Sequence, residues 1–198
     1  MPRPVDPGIR MRIVDAAREV FREKGFASAR MDDIARRADI AVGTIYLHFR
    51  TKEAICEALA DRINRRMLAE SLPLLNAPNA AQGIADAVRA AFRVCRDECD
   101  LLAILYLHIG FGPFENQFQH PSEIDSALFD VLAETFMRRM DAGEYRRYDV
   151  AKAVHMTVNL IERTAVDCLL LGAGDLQDYE ETVVLFLQNA LLEKRPDS

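Results

Sequence analysis

Four polar side chains close together in the chain are of the kinds that bind nucleic acid. Thr44, Tyr46, His48 and Lys52 offer a hydroxyl, a phenol, an imidazole and an ammonium group. Such groups donate hydrogen bonds to phosphate oxygens and to the edges of bases. For this chemistry they must be held on one open surface, so the question becomes which elements hold them.

The residues around this group read as two short helices joined by a tight turn. Ile34, Ala35 and Ala38 share one face of a first helix, and Ile45 with Phe49 forms an i, i+4 pair on a second. Two short helices joined in this way form a helix-turn-helix, whose second helix can enter the major groove of DNA. The polar groups then lie on or beside the face that the apolar pair leaves free.

Length and charge describe a globular chain with a basic beginning. It has 198 residues, half of them apolar, enough to bury a sizeable core. Residues 1–66 carry 14 Lys and Arg against 10 Asp and Glu, whereas residues 67–198 carry 11 against 21. A polyanion should therefore meet the first segment. No membrane span and no apolar signal core are recognisable, so we expect a cytoplasmic protein.

The stretch from Arg12 to Ile55 resembles the DNA-binding domain of the tetracycline-repressor (TetR) family. The matching pieces are IVDAAREVFREKGF at 13–26, DDIARRA at 32–38, VGTIYLHF at 42–49 and KEAI at 52–55. The resemblance implies an all-α fold of about nine helices. A three-helix helix-turn-helix domain would occupy residues 1–66, and a helical bundle for ligand binding and dimerisation would occupy residues 67–198.

The second helix of the motif holds most of the expected DNA contacts. Val42 and Thr44 are the candidates for base edges, Val42 on a thymine methyl. Gly43 has no side chain and would let the backbone approach DNA closely. Tyr46 and His48 are expected to hold phosphates, although His48 could also be a surface histidine with no partner.

Several positions depart from the family pattern. Where the first motif helix usually opens with a capping hydroxyl, this chain has Ala29 and Arg30. Arg30 could meet phosphate as a charge, while Ser28 could cap one turn early. The turn is Asp39 instead of glycine, and Asp tolerates a left-handed backbone. The second motif helix starts at Ala41 instead of serine. Lys52 opposes the dipole at the start of the next helix, which favours a phosphate contact.

The rest of the chain contains aromatic residues, methionines and isolated polar groups. This composition fits a small-molecule pocket, but by itself it favours an ordinary helical core. The family resemblance favours a pocket, for a small hydrophobic ligand that could be acidic. Arg163 could meet an acidic head or pair with a neighbouring carboxylate. The candidate ligand-binding residues are Phe92, Tyr106, His108, Phe111, Phe136, His155, Asn159 and Arg163.

The helices of this second segment follow from their apolar patterns. One helix, apolar nearly all round, is predicted from Cys99 to Ile109, and the last two are predicted over residues 149–171 and 175–192. The apolar faces of these last two helices are broader than one core contact requires. The helices either pair with those of a second copy in a four-helix bundle or pack within one chain. The predicted inner stripe of the last helix is Leu176, Tyr179, Val183, Phe186, Leu187 and Ala190.

The resemblance implies a ligand-responsive DNA-binding transcriptional regulator, with repression as the expected mode. It would bind a palindromic operator as a dimer and be released by a hydrophobic small molecule. The alternative is a helical interaction or ligand-binding protein that has lost specific DNA binding through its departures at Ala29, Asp39 and Ala41. The chain contains no GxSxG, HExxH, P-loop or GxGxxG motif, and its histidines lack ligand spacing. No enzyme activity, cofactor or metal is expected.

Overall fold

The computed structural model describes residues 7–108 and 123–193, and the all-α fold that we predicted is confirmed there. No β-strand is assigned within these ranges, and Tyr145 and Leu192 form an isolated bridge. The α-helices of the described ranges are α1 (Pro7–Lys24), α2 (Met31–Arg37), α3 (Val42–His48), α4 (Lys52–Ser71), α5 (Ala80–Asp97), α6 (Cys99–Ala103), α7 (Glu123–Asp141), α8 (Val150–Leu169) and α9 (Leu176–Leu191).

Contacts divide the chain into two compact units. One comprises Met1–Arg62 with Asp100–His120, and the other comprises Ile63–Cys99 with Pro121–Ser198. The chain passes from the first to the second within α4. None of the described helices has both the length and the apolar character needed to cross a membrane.

The first unit is built on the apolar stripe of α1. Ile13, Ala17, Val20 and Phe21 are buried, as their spacing predicts. Gly25 ends the helix with a φ of +74°, a left-handed conformation that glycine adopts without steric cost. The chain can therefore turn back directly, and α2 packs against α1.

The second unit is centred on α5, which packs against α8 and α9. The Asn79 side chain accepts a hydrogen bond from the Gln82 backbone N–H at 3.1 Å and thereby caps the start of α5. A 3₁₀ turn over Leu72–Asn76 follows α4. The buried guanidinium of Arg139 on α7 donates to the Leu75 carbonyl at 2.7 Å and thereby ties this turn to the unit.

Two of the predicted elements are wrong in detail. The helix expected to run from Cys99 to Ile109 is α-helical only to Ala103 and continues as a π-helical turn over Ile104–His108. On α9, Tyr179 and Phe186 are exposed, whereas Val184 is buried. A helix turns by about 100° per residue, so a face centred on Val183, Leu187 and Leu191 takes in Val184 and leaves Tyr179 and Phe186 to one side.

Candidate DNA-binding site and ligand cavity

The first helix of the motif, α2, is capped from within instead of by Ser28. Arg30 is the N-cap residue, and its extended backbone places its N–H 3.2 Å from the carboxylate of Asp33. Asp33 also accepts from the Lys24 ammonium at 2.8 Å. The hydrogen bond from Lys24, with a further one from the Arg30 N–H, holds the pKa of the Asp33 carboxyl below its usual value. The expectation that Ser28 caps the helix is therefore wrong.

The turn between α2 and α3 has the left-handed residue that we predicted. Asp39 has a φ of +53°, and the Ile40 N–H reaches back to the Ala35 carbonyl at 3.0 Å, which closes a Schellman motif. The guanidinium of Arg12 on α1 donates to the Ala38 carbonyl at 2.7 Å and to the Asp39 carbonyl at 3.1 Å. The turn is thus held by the helix beneath it.

The second helix of the motif, α3, is held by its apolar side and its end. Ile45 and Phe49 are buried, as expected. Ala41 is the N-cap residue and provides no side-chain hydrogen bond. At the other end, the Arg10 guanidinium lies 4.2 Å from the centre of the Phe49 ring and donates to the His48 carbonyl at 3.3 Å. The outward face of α3 is left open.

That open face contains the predicted contacts. Val42 is 42% exposed and Tyr46 is 49% exposed. A Cβ atom built on Gly43 meets nothing within 4 Å, so the fold itself does not require glycine there. Thr44 and His48 are half-buried beside this face. The His48 Nδ1 atom is shielded from solvent and makes no hydrogen bond within the described part of the chain.

Lys52, at the start of α4, has a partner inside the first unit. Its ammonium donates to the Phe26 carbonyl at 2.7 Å and lies 4.6 Å from the centre of the Phe26 ring. These contacts account for a cation at a helix start without any phosphate. The phosphate contact expected for Lys52 stays a prediction, as does that of Arg30, whose side chain is exposed.

The second unit contains a cavity of about 100 Å³ that is partly open to solvent. Its wall is apolar except for Ser71 of α4 and Thr157 and Glu162 of α8. Of the predicted ligand-binding residues, Phe136 lines it. The apolar residues of the wall include Met67, Leu75, Ile84, Val88, Leu132 and Val158.

The other candidates lie elsewhere. Phe92 is fully buried but is not part of the cavity wall, and Tyr106 belongs to the first unit. His155 and Asn159 face each other, with Nε2 and Nδ2 3.1 Å apart. Arg163 is 61% exposed and pairs with an aspartate one turn later at 2.7 Å. Two predicted candidates are outside the described atoms: Phe111 and the side chain of His108.

Comparison with known proteins identifies the motif. Residues 13–59 match the model of the bacterial regulatory proteins of the tetR family. Over 95% of its length, and 95% of the relative's, the chain is 29% identical to YdgC of Bacillus subtilis, an uncharacterised HTH-type transcriptional regulator. Residues 13–59 are therefore a TetR-type DNA-binding segment. Over its length the chain is similar to helix-turn-helix transcriptional regulators.

Two further relatives also span most of the length of this chain. The fatty acid metabolism regulator protein of Bacillus subtilis is 25% identical, with 92% of this chain and 91% of the relative covered. The crystal structure of the regulator FadR from Bacillus subtilis in complex with stearoyl-CoA has the same fold. Its TM-score is 0.72 at 24% identity, and 89% of this chain and 96% of that chain are covered.

One exposed residue of the TetR-type motif escaped the sequence analysis. Leu47 is 76% exposed and lies one helical turn beyond Gly43 on the open face of α3. Apolar residues were assigned to the core, so Leu47 was not considered as a contact. The signal was available, because the period of Ile45 and Phe49 places Leu47 on the opposite side of the helix.

Proposed function

We propose that this chain is a TetR-family repressor that binds a palindromic operator as a homodimer and is released by a hydrophobic small molecule. Residues 1–66 would bind DNA, and residues 67–198 would bind the ligand and the second copy. The proposal rests chiefly on the open face of α3, which presents exposed residues on a helix fixed from behind. A regulator of DNA acts where the DNA is, so its proposed location is the cytoplasm.

The proposed DNA contacts are of two kinds: those that recognise bases and those that bind phosphates. Val42, Thr44 and the newly recognised Leu47 are suited to base edges and thymine methyl groups. The exposed Gly43 and Ala41 add little bulk, so the backbone of α3 could approach the groove closely. The groups proposed to hold phosphates are Arg30, Tyr46, His48 and Lys52.

The proposed dimer uses the outer faces of α8 and α9. Met156 of α8 is 70% exposed, and Leu185 and Phe186 of α9 are 56% and 62% exposed. Large apolar side chains grouped on adjacent helices are typical of a surface that is covered in the assembled protein. A second copy would cover them in an isologous four-helix bundle and would supply the second half of a palindromic site.

The proposed ligand occupies the cavity of the second unit. A largely apolar wall with a few polar groups suits a small hydrophobic molecule. α4 begins at Lys52, beside the motif, and its Met67 and Ser71 line the cavity. A ligand that favours one position of α4 over another would thereby change the affinity for DNA. The stearoyl-CoA bound by the FadR relative makes an acyl chain one molecule to test.

The experiment is the selection of random duplex DNA by the purified full chain at near-physiological salt, followed by sequencing. We expect a palindrome whose half-sites are about one helical turn apart. Binding to it should weaken steeply as salt rises, because phosphate contacts release counterions. Failure to enrich any sequence, with binding only at low salt, would contradict operator binding and favour an interaction protein without specific DNA binding.

A further inference from the structure

One hydroxyl in the cavity wall has no hydrogen-bond partner within the described part of the chain. We propose that the cavity binds a hydrophobic molecule with an uncharged hydrogen-bonding group, a hydroxyl or a carbonyl, and that this group bonds to the hydroxyl of Ser71. Ser71, at the end of α4, is then a specificity-determining residue. This inference depends on the proposed ligand-binding role of the second unit and specifies the chemistry of its ligand.

Ser71 is on the side of α4 that borders the cavity. Met67 and Ser71, one helical turn apart, both line the wall, and Leu75 of the following 3₁₀ turn lines it as well. The Ser71 Oγ atom is shielded from solvent. A serine side chain has one torsion with three staggered positions, so its oxygen can turn toward a molecule in the cavity at little cost. The hydroxyl can then donate one hydrogen bond or accept one.

The Ser71 hydroxyl has neither of the roles that serine usually has in a helix. Ser71 precedes the 3₁₀ turn, but its backbone is helical, with φ −98° and ψ −41°, and its side chain makes no capping hydrogen bond. It also does not bond to the carbonyl one turn earlier, as the Thr157 hydroxyl of the same wall does to Ala153 at 2.8 Å. A shielded hydroxyl without a partner costs free energy, and a polar atom of a ligand can recover it.

The two other polar side chains of the described wall already have partners. The Thr157 hydroxyl is bonded to its own helix, and Glu162 interacts with another group of the chain. The remaining residues that the structure describes in the wall are apolar. Ser71 is therefore the group that can orient the polar atom of a ligand, while the apolar residues contact the remainder. A neutral hydroxyl offsets the burial of a neutral polar group, whereas burial of a charge costs far more than one such hydrogen bond returns.

The test uses two molecules of similar size, benzyl alcohol and ethylbenzene, in which a hydroxyl replaces a methyl group. Their binding to the full chain and to Ser71→Ala is measured by titration calorimetry. We expect Ser71→Ala to weaken binding of benzyl alcohol about fivefold, the loss of one neutral hydrogen bond, and to leave that of ethylbenzene within about twofold. Acetophenone, which has a carbonyl, should behave like benzyl alcohol. The variant should unfold at the same temperature or higher, because it removes a shielded hydroxyl that has no partner.

Two control variants locate the effect. Thr157→Val removes a hydroxyl that is already bonded within its helix, and it should change the affinity for benzyl alcohol no more than about twofold. Ala91→Leu adds bulk to the cavity wall and should weaken binding of all three molecules together.

Three outcomes would overturn the inference. If Ser71→Ala changes the affinities for benzyl alcohol and ethylbenzene equally, Ser71 does not select the polar group, although the cavity can still bind a ligand. If Ala91→Leu weakens none of the three molecules, they bind outside the cavity. If none of the three binds to a protein that still selects an operator, the proposed ligand-binding role of the cavity is wrong as well.

Discussion

Gly43 separates what the fold of α3 requires from what DNA binding requires. A Cβ atom at this position meets nothing within 4 Å, and its φ is not in the left-handed region. Gly43→Ala should therefore raise the free energy of unfolding by about 0.5–1 kcal/mol, because alanine favours a helix. We expect operator affinity nevertheless to fall roughly tenfold or more, as when one base contact is lost. Urea unfolding and fluorescence anisotropy with labelled operator measure the two effects.

Gly25 supplies the matched control for that prediction. A Cβ atom there also meets nothing within 4 Å, but its φ is +74°. Gly25→Ala should lose about 1–2 kcal/mol of stability, since the left-handed conformation is strained for alanine. Unchanged operator affinity in Gly43→Ala would show that the backbone of α3 does not approach DNA closely.

At single residues, the sequence predicted exposure better than it predicted partners. Ile45 and Phe49 are buried and Val42 and Tyr46 are exposed because helical period alone separates them. Lys52 was different. Its contact with the Phe26 carbonyl depends on where the preceding loop lies, which only tertiary packing determines.

At the scale of elements, Arg12 connects α1 to the turn of the motif. Its hydrogen bonds to the Ala38 and Asp39 carbonyls fix the angle at which α3 leaves the turn. Arg12→Met should weaken binding to the operator more than binding to random duplex, because base contacts depend on that angle. We expect a loss of about 1 kcal/mol of stability. Competition binding with both duplexes measures the difference.

Arg22→Met is the control for the loss of positive charge on α1, because its side chain is also exposed. It should weaken specific and random duplex by similar factors, the result expected of a phosphate or long-range charge effect. If Arg12→Met also lost equal affinity for both duplexes, Arg12 would contribute only its charge to DNA binding and would not position α3.

A second connection joins α1 to α6 and depends on pH. Arg18 Nε lies 2.9 Å from Asp100 Oδ2, and the hydrogen bond from Arg18 lowers the pKa of the Asp100 carboxyl. A lowered pKa stabilises the fold above the unfolded value of about 3.9, and this stability is lost as the pH falls through the folded value. Asp100→Asn should therefore cost about 1 kcal/mol between pH 5 and 7 and progressively less below about pH 4.

Urea unfolding of both proteins at several pH values tests this dependence. Asp141→Asn is the control, since Asp141 and its partner Arg147 are both largely exposed and such a pair contributes little. A cost of Asp100→Asn that stays constant below pH 4 would mean that its carboxylate does not supply the stabilisation.

Helix starts were readable from the sequence where a side chain caps them. Thr51 accepts from the Ala54 N–H at 3.2 Å, and Asn79 accepts from the Gln82 N–H at the start of α5. The cap expected at Ser28 does not form, because the carboxylate of Asp33, inside the helix, accepts the hydrogen bond from the Arg30 N–H instead. The change from α-helix to π-helix after Ala103 has no comparable sequence signal, because the residues on both sides of it are equally apolar.

For the whole molecule, the sequence predicted two functional segments through charge. The basic beginning and acidic remainder can be counted directly, and charge favours contact of the first with DNA. The cavity could not be predicted in the same way. Its wall draws on α4, α5, α7, α8 and α9, and which aromatic residues reach it depends on how these helices rotate against each other. Phe136 reaches the wall and Phe92 does not.

At the scale of the whole molecule, the exposed apolar faces of α8 and α9 predict that the chain forms a dimer. Phe186→Glu places a charge in the centre of the proposed interface, where it would be buried without a partner. Light scattering after gel filtration should then give the 22.3 kDa of one chain instead of twice that mass. The variant should bind a palindrome no more tightly than an isolated half-site, since each copy would bind alone.

Met137→Glu is the matched control, because Met137 is an exposed apolar residue on α7, outside the proposed interface. It should remain a dimer and keep its preference for the palindrome. If Phe186→Glu stays dimeric, the second copy must dock on another surface. If it becomes monomeric yet still prefers the palindrome, pairing on DNA cannot depend on α9. If Phe186→Glu loses both the dimer and the preference for the palindrome, one interface accounts for the oligomeric state in solution and for the symmetry of the operator.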